Sequence, residues 1–237
     1  MTALTPTQDS CGNRILATLP AEEYNRLIPN LETVSFELGE IIYQSGEHID
    51  YIYFLTDCIV SLLYTMENGM SAEIGIVGSE GVVGIALFMG GHTMPNSAIV
   101  QSAGTALRME SRFLLDEFKQ GGEFQHLLLR YTQALMTQIS QTAVCNRLHP
   151  LEGQLCRWLL LSHDRLQTDE LVMTHEMIAN MLGTRREGVT IAAGKLQDAG
   201  LITYYRGRIK IIDRAGLEAT VCECYKVVKD EFDRLHI

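Results

Sequence analysis

Residues 174–202, THEMIANMLGTRREGVTIAAGKLQDAGLI, carry the pattern from which the rest of the chain is understood. Thr174 is a good N-cap, because a hydroxyl there accepts one of the free amides of a helix start. Met177 and Ile178 open an apolar face behind it. The predicted helix runs to Gly183, where glycine permits a turn. Thr184 is then expected to cap a second helix, with Glu187 three residues on completing a capping box. That helix buries Val189, Ala192, Ala193 and Leu196, and its exposed N-terminal face carries Arg185, Arg186, Glu187 and Thr190. Just beyond, LITYYRGRIKIID (201–213) reads as two strands around Arg206-Gly207, and Leu171-Val172-Met173 reads as a short strand before the helices. Helix, tight turn, helix and basic hairpin is the layout of a winged helix-turn-helix.

The chemistry suits that layout. The N-terminal end of a recognition helix enters the major groove, where Arg bonds guanine bidentately and Glu accepts from cytosine. Its free amides also point at phosphate. Arg206, Arg208 and Lys210 on the hairpin are expected to neutralise backbone charge without reading sequence.

Charge is divided unevenly. The 237 residues sum to a formal −10, which by itself argues against nucleic acid. Residues 1–149 hold seven bases and sixteen acids, whereas 150–237 hold twelve and thirteen. Between Arg185 and Arg214 there are seven bases against three acids, the one basic concentration in the chain. An acidic body with one basic stripe fits a protein that meets a polyanion on a single face.

Upstream, residues 13–30 have helical spacing broken by prolines. From Val34 to Met109, short runs rich in Val, Ile, Tyr and Phe alternate with glycine turns, and Asn68-Gly69 is the strongest hairpin signal. This pattern predicts an antiparallel barrel or roll. Helical spacing returns at Ser111, with Gly121-Gly122 dividing a short helix from a long one. In the long helix Phe124, Leu128, Tyr131, Leu135, Gln138, Thr142 and Cys145 fall at alternating steps of four and three. Two packings fit this stripe, a helix lying on its own roll and a two-stranded seam between protomers; the seam, and hence a dimer, is the preferred reading. His149-Pro150 ends the helix, since the residue before proline leaves the α region. The boundary between the two halves is placed there.

The fold class is therefore α+β, with an N-terminal antiparallel, jelly-roll-like β-roll, a long dimerisation helix and a C-terminal winged helix-turn-helix. Residues 74–91 are weakly charged but contain Glu80 and six glycines, which excludes a membrane helix. The first thirteen residues have no basic start and no apolar core, so no secretory leader is expected. Six cysteines without disulfide-framework or metal-type spacing predict a reduced, cytoplasmic chain. Cys222-x-Cys224 reads as a free pair on a terminal helix and no metal site is expected. No phosphate loop, nucleophile elbow or His-Glu-x-x-His helix is present, so the sequence offers no enzyme and no catalytic residue.

At this point the chain resembles the Crp/Fnr superfamily over nearly its whole length. Its roll half shows in LGEIIYQSGEHIDYIYFL (38–55) and the glycines after it, and its DNA-binding half in residues 174–202. The resemblance implies a homodimeric transcription regulator. Residues 1–120 would form a cyclic-nucleotide-binding-like effector domain, 121–149 the dimer helix and hinge, and 150–237 the DNA-binding domain. Its partners would be a palindromic operator in double-stranded DNA and RNA polymerase. In the family an Arg-Glu pair of the recognition helix reads base edges, which Arg186 and Glu187 match. Thr190 stands where well-known members have Ser or Gly, and Ile191 replaces a following Arg, so neither well-known palindrome is expected.

The effector pocket departs further. Cyclic-AMP binders of the family carry a Gly-Glu pair for the ribose and an Arg-Ser-Ala run for the phosphate. Here the residues are Gly84-Ile85 and Asn96-Ser97-Ala98. Without the bidentate guanidinium, cyclic AMP loses its anchor. Gly84 and Ser97 remain as weak anion acceptors. An iron–sulfur cluster of the family's kind needs several closely spaced N-terminal cysteines, and only Cys11 is present. His48, His92 and His126 qualify as haem ligands by type alone. Some members bind cyclic di-GMP, which requires arginines for guanine edges and two phosphates. Arg14, Arg108 and Arg112 are the candidates, and cyclic di-GMP ranks first among named effectors. Gln138 and Thr142, on the polar half of the expected seam, are where a ligand would touch both protomers. The alternative is a DNA-binding regulator with a vestigial roll, constitutive or controlled by a partner protein.

Overall fold

The computed structural model describes residues 11–166 and 168–235; the first ten residues, which bear on the expected absence of a leader, lie outside them. Helices α1 (Arg14–Thr18) and α2 (Ala21–Leu27) open the chain. Asn13 caps α1, its Oδ1 accepting from the Leu16 amide, while its Nδ2 donates to the carbonyls of Leu55 and Gly81, both at 2.9 Å. One buried amide thus fastens the opening helix to the strands that follow.

Eight of these follow: β1 (Glu32–Phe36), β2 (Ile41–Tyr43), β3 (Tyr51–Leu55), β4 (Ile59–Thr65), β5 (Ser71–Val77), β6 (Val82–Val83), β7 (Ser97–Ser102) and β8 (Gly104–Glu110). They make two antiparallel four-stranded sheets, in the orders β1-β8-β3-β6 and β2-β7-β4-β5. The expected hairpin joins β4 to β5, where the Met66 amide donates to the Met70 carbonyl and Gly69 takes φ 81°. Glycine is needed there, because that conformation crowds any Cβ. Ile52, Phe54, Val60, Ile76, Val82 and Leu107 belong to one continuous core.

Helix α3 (Ser111–Gln120) leads through Gly121, with φ 81°, into α4 (Gly122–Leu148). The seam expected between protomers is corrected here. Phe124, Leu128, Tyr131, Leu135, Gln138, Thr142 and Cys145 are all buried within the single chain. Phe124 packs 6.3 Å from the Phe54 ring, and the Tyr131 hydroxyl donates to the Val82 carbonyl at 3.0 Å. Gln138 donates to the Ile76 carbonyl at 3.0 Å and accepts from its amide. Step spacing reveals that a helix has an apolar stripe, but not what covers it. The roll of the same chain covers most of this one, and Arg157 and Cys222 of the C-terminal half cover Thr142 and Cys145. A second face stays open, with Leu129, Met136 and Val144 each 45% or more exposed.

His149, in extended conformation at φ −104°, separates α4 from α5 (Leu151–His163). There follow β9 (Glu170–Val172), α6 (His175–Leu182), α7 (Arg186–Asp198), β10 (Ile202–Tyr205), β11 (Arg208–Ile211), α8 (Arg214–Thr220) and α9 (Cys224–Arg234). The last sheet has the order β10-β11-β9. α5 joins this half to the roll. Trp158 Nε1 donates to Glu73 Oε1 at 3.1 Å, Gln101 Nε2 to Ser162 Oγ at 3.1 Å, and Arg165, beyond the helix, pairs with Glu80 at 2.7 Å. No helix among the described residues is long and apolar enough to cross a membrane.

Candidate nucleic-acid interface

Thr174 caps α6 as its side chain predicts, accepting from the Met177 amide at 3.2 Å. Gly183 ends α6 in the left-handed region at φ 62°. The second cap differs from expectation. Arg185, not Thr184, is the N-cap of α7, and no side chain caps it, so the Thr184–Glu187 capping box does not form. The first amides of α7 are therefore free of side-chain partners at the end where anions are favoured.

Arg185, Arg186, Glu187 and Thr190 lie exposed along the first turns of α7. Among the described residues neither Arg185 nor Arg186 forms an ion pair. Thr190 is less free. Its hydroxyl reaches the Arg186 carbonyl at 3.0 Å and His175 Nδ1 at 2.9 Å. His175 in turn stacks on Tyr204 of β10, with centroids 4.0 Å apart, so one imidazole ties the start of α6 to α7 and the hairpin. Burial and the neighbouring Arg186 charge hold this imidazole below its usual range. The sequence offered no signal for that role, which depends on three elements meeting. Ile191 projects from the same helix at 64% exposure.

The hairpin forms as expected, pairing Tyr205 with Arg208 across a two-residue turn in which Arg206 (φ 48°) and Gly207 (φ 77°) are both left-handed. Arg206 lies over the Tyr205 ring at 5.0 Å, and Lys210 is exposed without an ion pair among the described residues. Arg208 is held by Glu170 across the sheet, Lys195 by Glu152 at 3.1 Å, and Arg214 turns inward to Asp164 and Glu218. Counting bases along the sequence therefore overstates the stripe, since strand register and helix packing supply counter-charges from a distance. Four cations remain for a polyanion: Arg185, Arg186, Arg206 and Lys210.

The effector candidates are scattered. Gly84, at φ 105°, follows β6 in one sheet, and a Cβ there would meet the Tyr51 carbonyl at 3.0 Å. Ser97 begins β7 in the other sheet, and its hydroxyl already accepts from the Ser45 amide at 3.1 Å. Asn96 is fully buried, donating to Tyr43 Oη at 3.3 Å, with no partner for Oδ1 among the described residues. Arg108 holds Glu32 through two nitrogens at 2.9 and 3.0 Å, and Arg112 holds Glu110 at 2.7 Å. Arg14 instead lines a cleft with Glu80, Asp164 and Arg165. Gln138 and Thr142 are spent within the chain, Thr142 accepting from buried Arg157 at 3.0 Å; as residues of a surface shared between protomers they are corrected along with the seam. The cysteine reading also changes. Cys222 and Cys224 lie beside Cys145 and His149, a grouping that separations along the sequence conceal.

A helix, a tight turn, a second helix with free guanidinium groups at its start and a basic hairpin define a winged helix-turn-helix, a DNA-binding fold, here joined by a long helix to a β-roll. The comparisons agree at both ends. The model of the Crp-like helix-turn-helix domain matches residues 153–220, and that of the cyclic nucleotide-binding domain matches residues 33–120. The chain belongs to the Crp/Fnr superfamily of transcription regulators. It is 21% identical to the global nitrogen regulator of Synechococcus elongatus over 196 residues, 79% of this chain and 88% of that one. FixK2 from Bradyrhizobium japonicum shares the fold with TM-score 0.70 at 16% identity, covering 81% of this chain and 98% of its own. The c-di-GMP-responsive global regulator CLP of Xanthomonas campestris gives TM-score 0.62 at 14% identity, covering 81% and 99%.

Proposed function

We propose that the protein is a homodimeric, sequence-specific DNA-binding regulator whose roll answers to a second messenger other than cyclic AMP, with cyclic di-GMP the first candidate. The observation that carries the DNA reading is the pair Arg185 and Arg186, exposed where α7 starts and without an ion pair among the described residues. In this reading residues 1–120 sense, 121–149 join the protomers and form the hinge, and 150–237 bind DNA. The open face of α4, with Leu129 and Met136 one heptad apart, takes a second copy of the chain and so presents two recognition helices to a palindrome. The same reading entails a cytoplasmic protein that acts beside RNA polymerase.

Arg186→Ala is expected to cost about 1–3 kcal/mol on the best operator and to relax base preference at one position per half-site. Lys210→Ala is expected to weaken all sequences alike and flatten the salt slope. Arg208→Ala should do less, because Glu170 already neutralises that guanidinium. Fluorescence anisotropy on operator and random duplexes separates these. Equal losses on both duplexes for Arg186→Ala would remove α7 from the base-reading role.

The effector reading rests on Ile85 and Asn96, which put neither carboxylate nor guanidinium where cyclic AMP needs them. CLP, with the same fold, is responsive to c-di-GMP. Arg14, Arg108 and Arg112 remain the ligand candidates, with Glu32 and Glu110 to be displaced by phosphate. Calorimetry is expected to show cyclic di-GMP binding that each arginine-to-alanine change weakens, and none for cyclic AMP. Micromolar cyclic AMP binding would sink the pocket argument. The internal use of Ser97, Gln138 and Thr142 favours the second reading, a vestigial roll, and a thermal midpoint unmoved by a panel of cyclic nucleotides would establish it.

A further inference from the structure

Four side chains from three segments converge at the joint between the long helix and the DNA-binding half. Cys145 lies in the last turn of α4, His149 is its C-cap, Cys222 follows α8, and Cys224 opens α9. One ligand atom from each lies within 4.8 Å of all the others. Cys145 Sγ and Cys222 Sγ are 3.6 Å apart, and Cys224 Sγ and His149 Nδ1 are 3.3 Å apart. In a tetrahedral zinc site with the usual bond lengths, sulfur–sulfur edges are ~3.8 Å and sulfur–nitrogen edges ~3.6 Å. The two edges at 3.6 and 3.3 Å lie close to these values, and the other four are no longer than 4.8 Å.

The surroundings complete the pattern. His149 presents Nδ1 to the cluster while its Nε2 faces the Glu223 carboxylate at 3.5 Å, the arrangement that fixes tautomer and ring orientation in metal-bound imidazoles. Gln141 Nε2 donates to Cys224 Sγ at 3.1 Å, a bond that supports a thiolate. The Gln154 amide holds the His149 carbonyl at 2.8 Å, steadying the hinge backbone. Cys145 and Cys224 are fully buried, while His149 and Cys222 are partly exposed, which leaves an entry path.

We propose that Cys145, His149, Cys222 and Cys224 form a tetrahedral site for a thiophilic divalent cation of the zinc type, which clamps α9 to the end of α4 across the His149-Pro150 hinge. Three thiolates and an imidazole select zinc over magnesium or calcium, which take oxygen ligands. With the ion in place the hinge residue is itself a ligand, so the DNA-binding half cannot swing on α4 without breaking a metal bond. Gln133 to Glu231 at 3.1 Å is the other side-chain hydrogen bond between α4 and α9 among the described residues, apart from Gln141 to Cys224, and it is exposed.

The test uses the full chain, stripped by chelator and kept under reductant without oxygen. Titration with Co2+ is expected to saturate at one ion per chain, giving the visible bands of tetrahedral cobalt and a thiolate charge-transfer band, both abolished by Zn2+. Zn2+ should also raise the thermal midpoint. Cys222→Ser and His149→Gln, both at partly exposed positions, should weaken Co2+ binding at least about tenfold, as loss of a ligand does. Cys58→Ser, remote from the site, should change nothing. Three results would overturn the site: no tetrahedral cobalt spectrum in the parent chain, a spectrum retained by the Cys222→Ser, Cys224→Ser double variant, or a Cys145–Cys222 disulfide on oxidation with no metal uptake when reduced. These readouts need no DNA, so they stand apart from any failure of the regulator reading.

Discussion

Leu135→Asp is expected to unfold the chain, whereas Met136→Asp, one residue on, should leave it folded and separate the protomers of the proposed dimer. Leu135 is 1% exposed and packs on the roll, while Met136 is 61% exposed on the open face of α4. Removing a buried leucine costs about 2–5 kcal/mol, and an unpaired carboxylate in its place adds several more. The sum rivals the whole stability of a domain, about 5–15 kcal/mol. At position 136 the carboxylate stays in water, so the cost falls on association alone. Circular dichroism melting and light scattering read the two outcomes separately. A folded, monomeric Leu135→Asp chain would return the buried stripe to the dimer seam and refute the packing described above. Met136→Asp that remains dimeric would move the dimer interface off this face.

The second large effect concerns Glu73. This carboxyl of β5 is wholly buried between the roll and α5, accepting from Trp158 Nε1 while Oε2 has no partner among the described residues. Burial pushes it from an ordinary 4.5 up to about 7, only partly offset by Ser61, Trp158 and the charges of Arg157 and Arg165. The folded state thus binds this proton more tightly than the unfolded chain. Its stabilising contribution is complete below pH 4.5 and is lost as pH rises through about 7. At about 1.4 kcal/mol per pH unit the loss is on the order of 3 kcal/mol. Glu73→Gln, which keeps a neutral group of the same shape, should match the parent at pH 4.5 and exceed it by that amount at pH 8. Urea unfolding of both proteins across this range decides it, and parallel profiles would show that Glu73 does not titrate in the fold.

Most of the architecture was legible because it rests on short-range chemistry. Asn68-Gly69 announces its hairpin through the left-handed turn that glycine tolerates, and Arg206-Gly207 does the same for the wing. Thr174 and Gly183 mark the two ends of α6 through a hydroxyl cap and a permissive φ. The Thr184–Glu187 capping box failed although its spacing was correct, because the chain enters α7 one residue later and Arg185 takes the cap position. A motif specifies which hydrogen bonds are available, and the geometry of entry selects among them.

Of the candidate interface, residue types were readable and free charge was not. Arg185, Arg186, Arg206 and Lys210 remain available, whereas Arg208, Lys195 and Arg214 are paired with Glu170, Glu152 and Asp164, residues 38, 43 and 50 positions away. The metal cluster shows the same limit. Cys145 in the last turn of α4 and His149 at its C-cap are four residues apart, but Cys222 and Cys224 reach them only through the packing of α9 on α4. Propensity, periodicity and turn chemistry act over a few residues, so the order of helices and strands, the glycine turns, the Thr174 cap and the winged helix-turn-helix could be read along the chain. Tertiary structure alone decided which face of α4 the roll covers, which cations stay unpaired and which thiols meet, because burial and charge pairing depend on surfaces brought together across the whole chain.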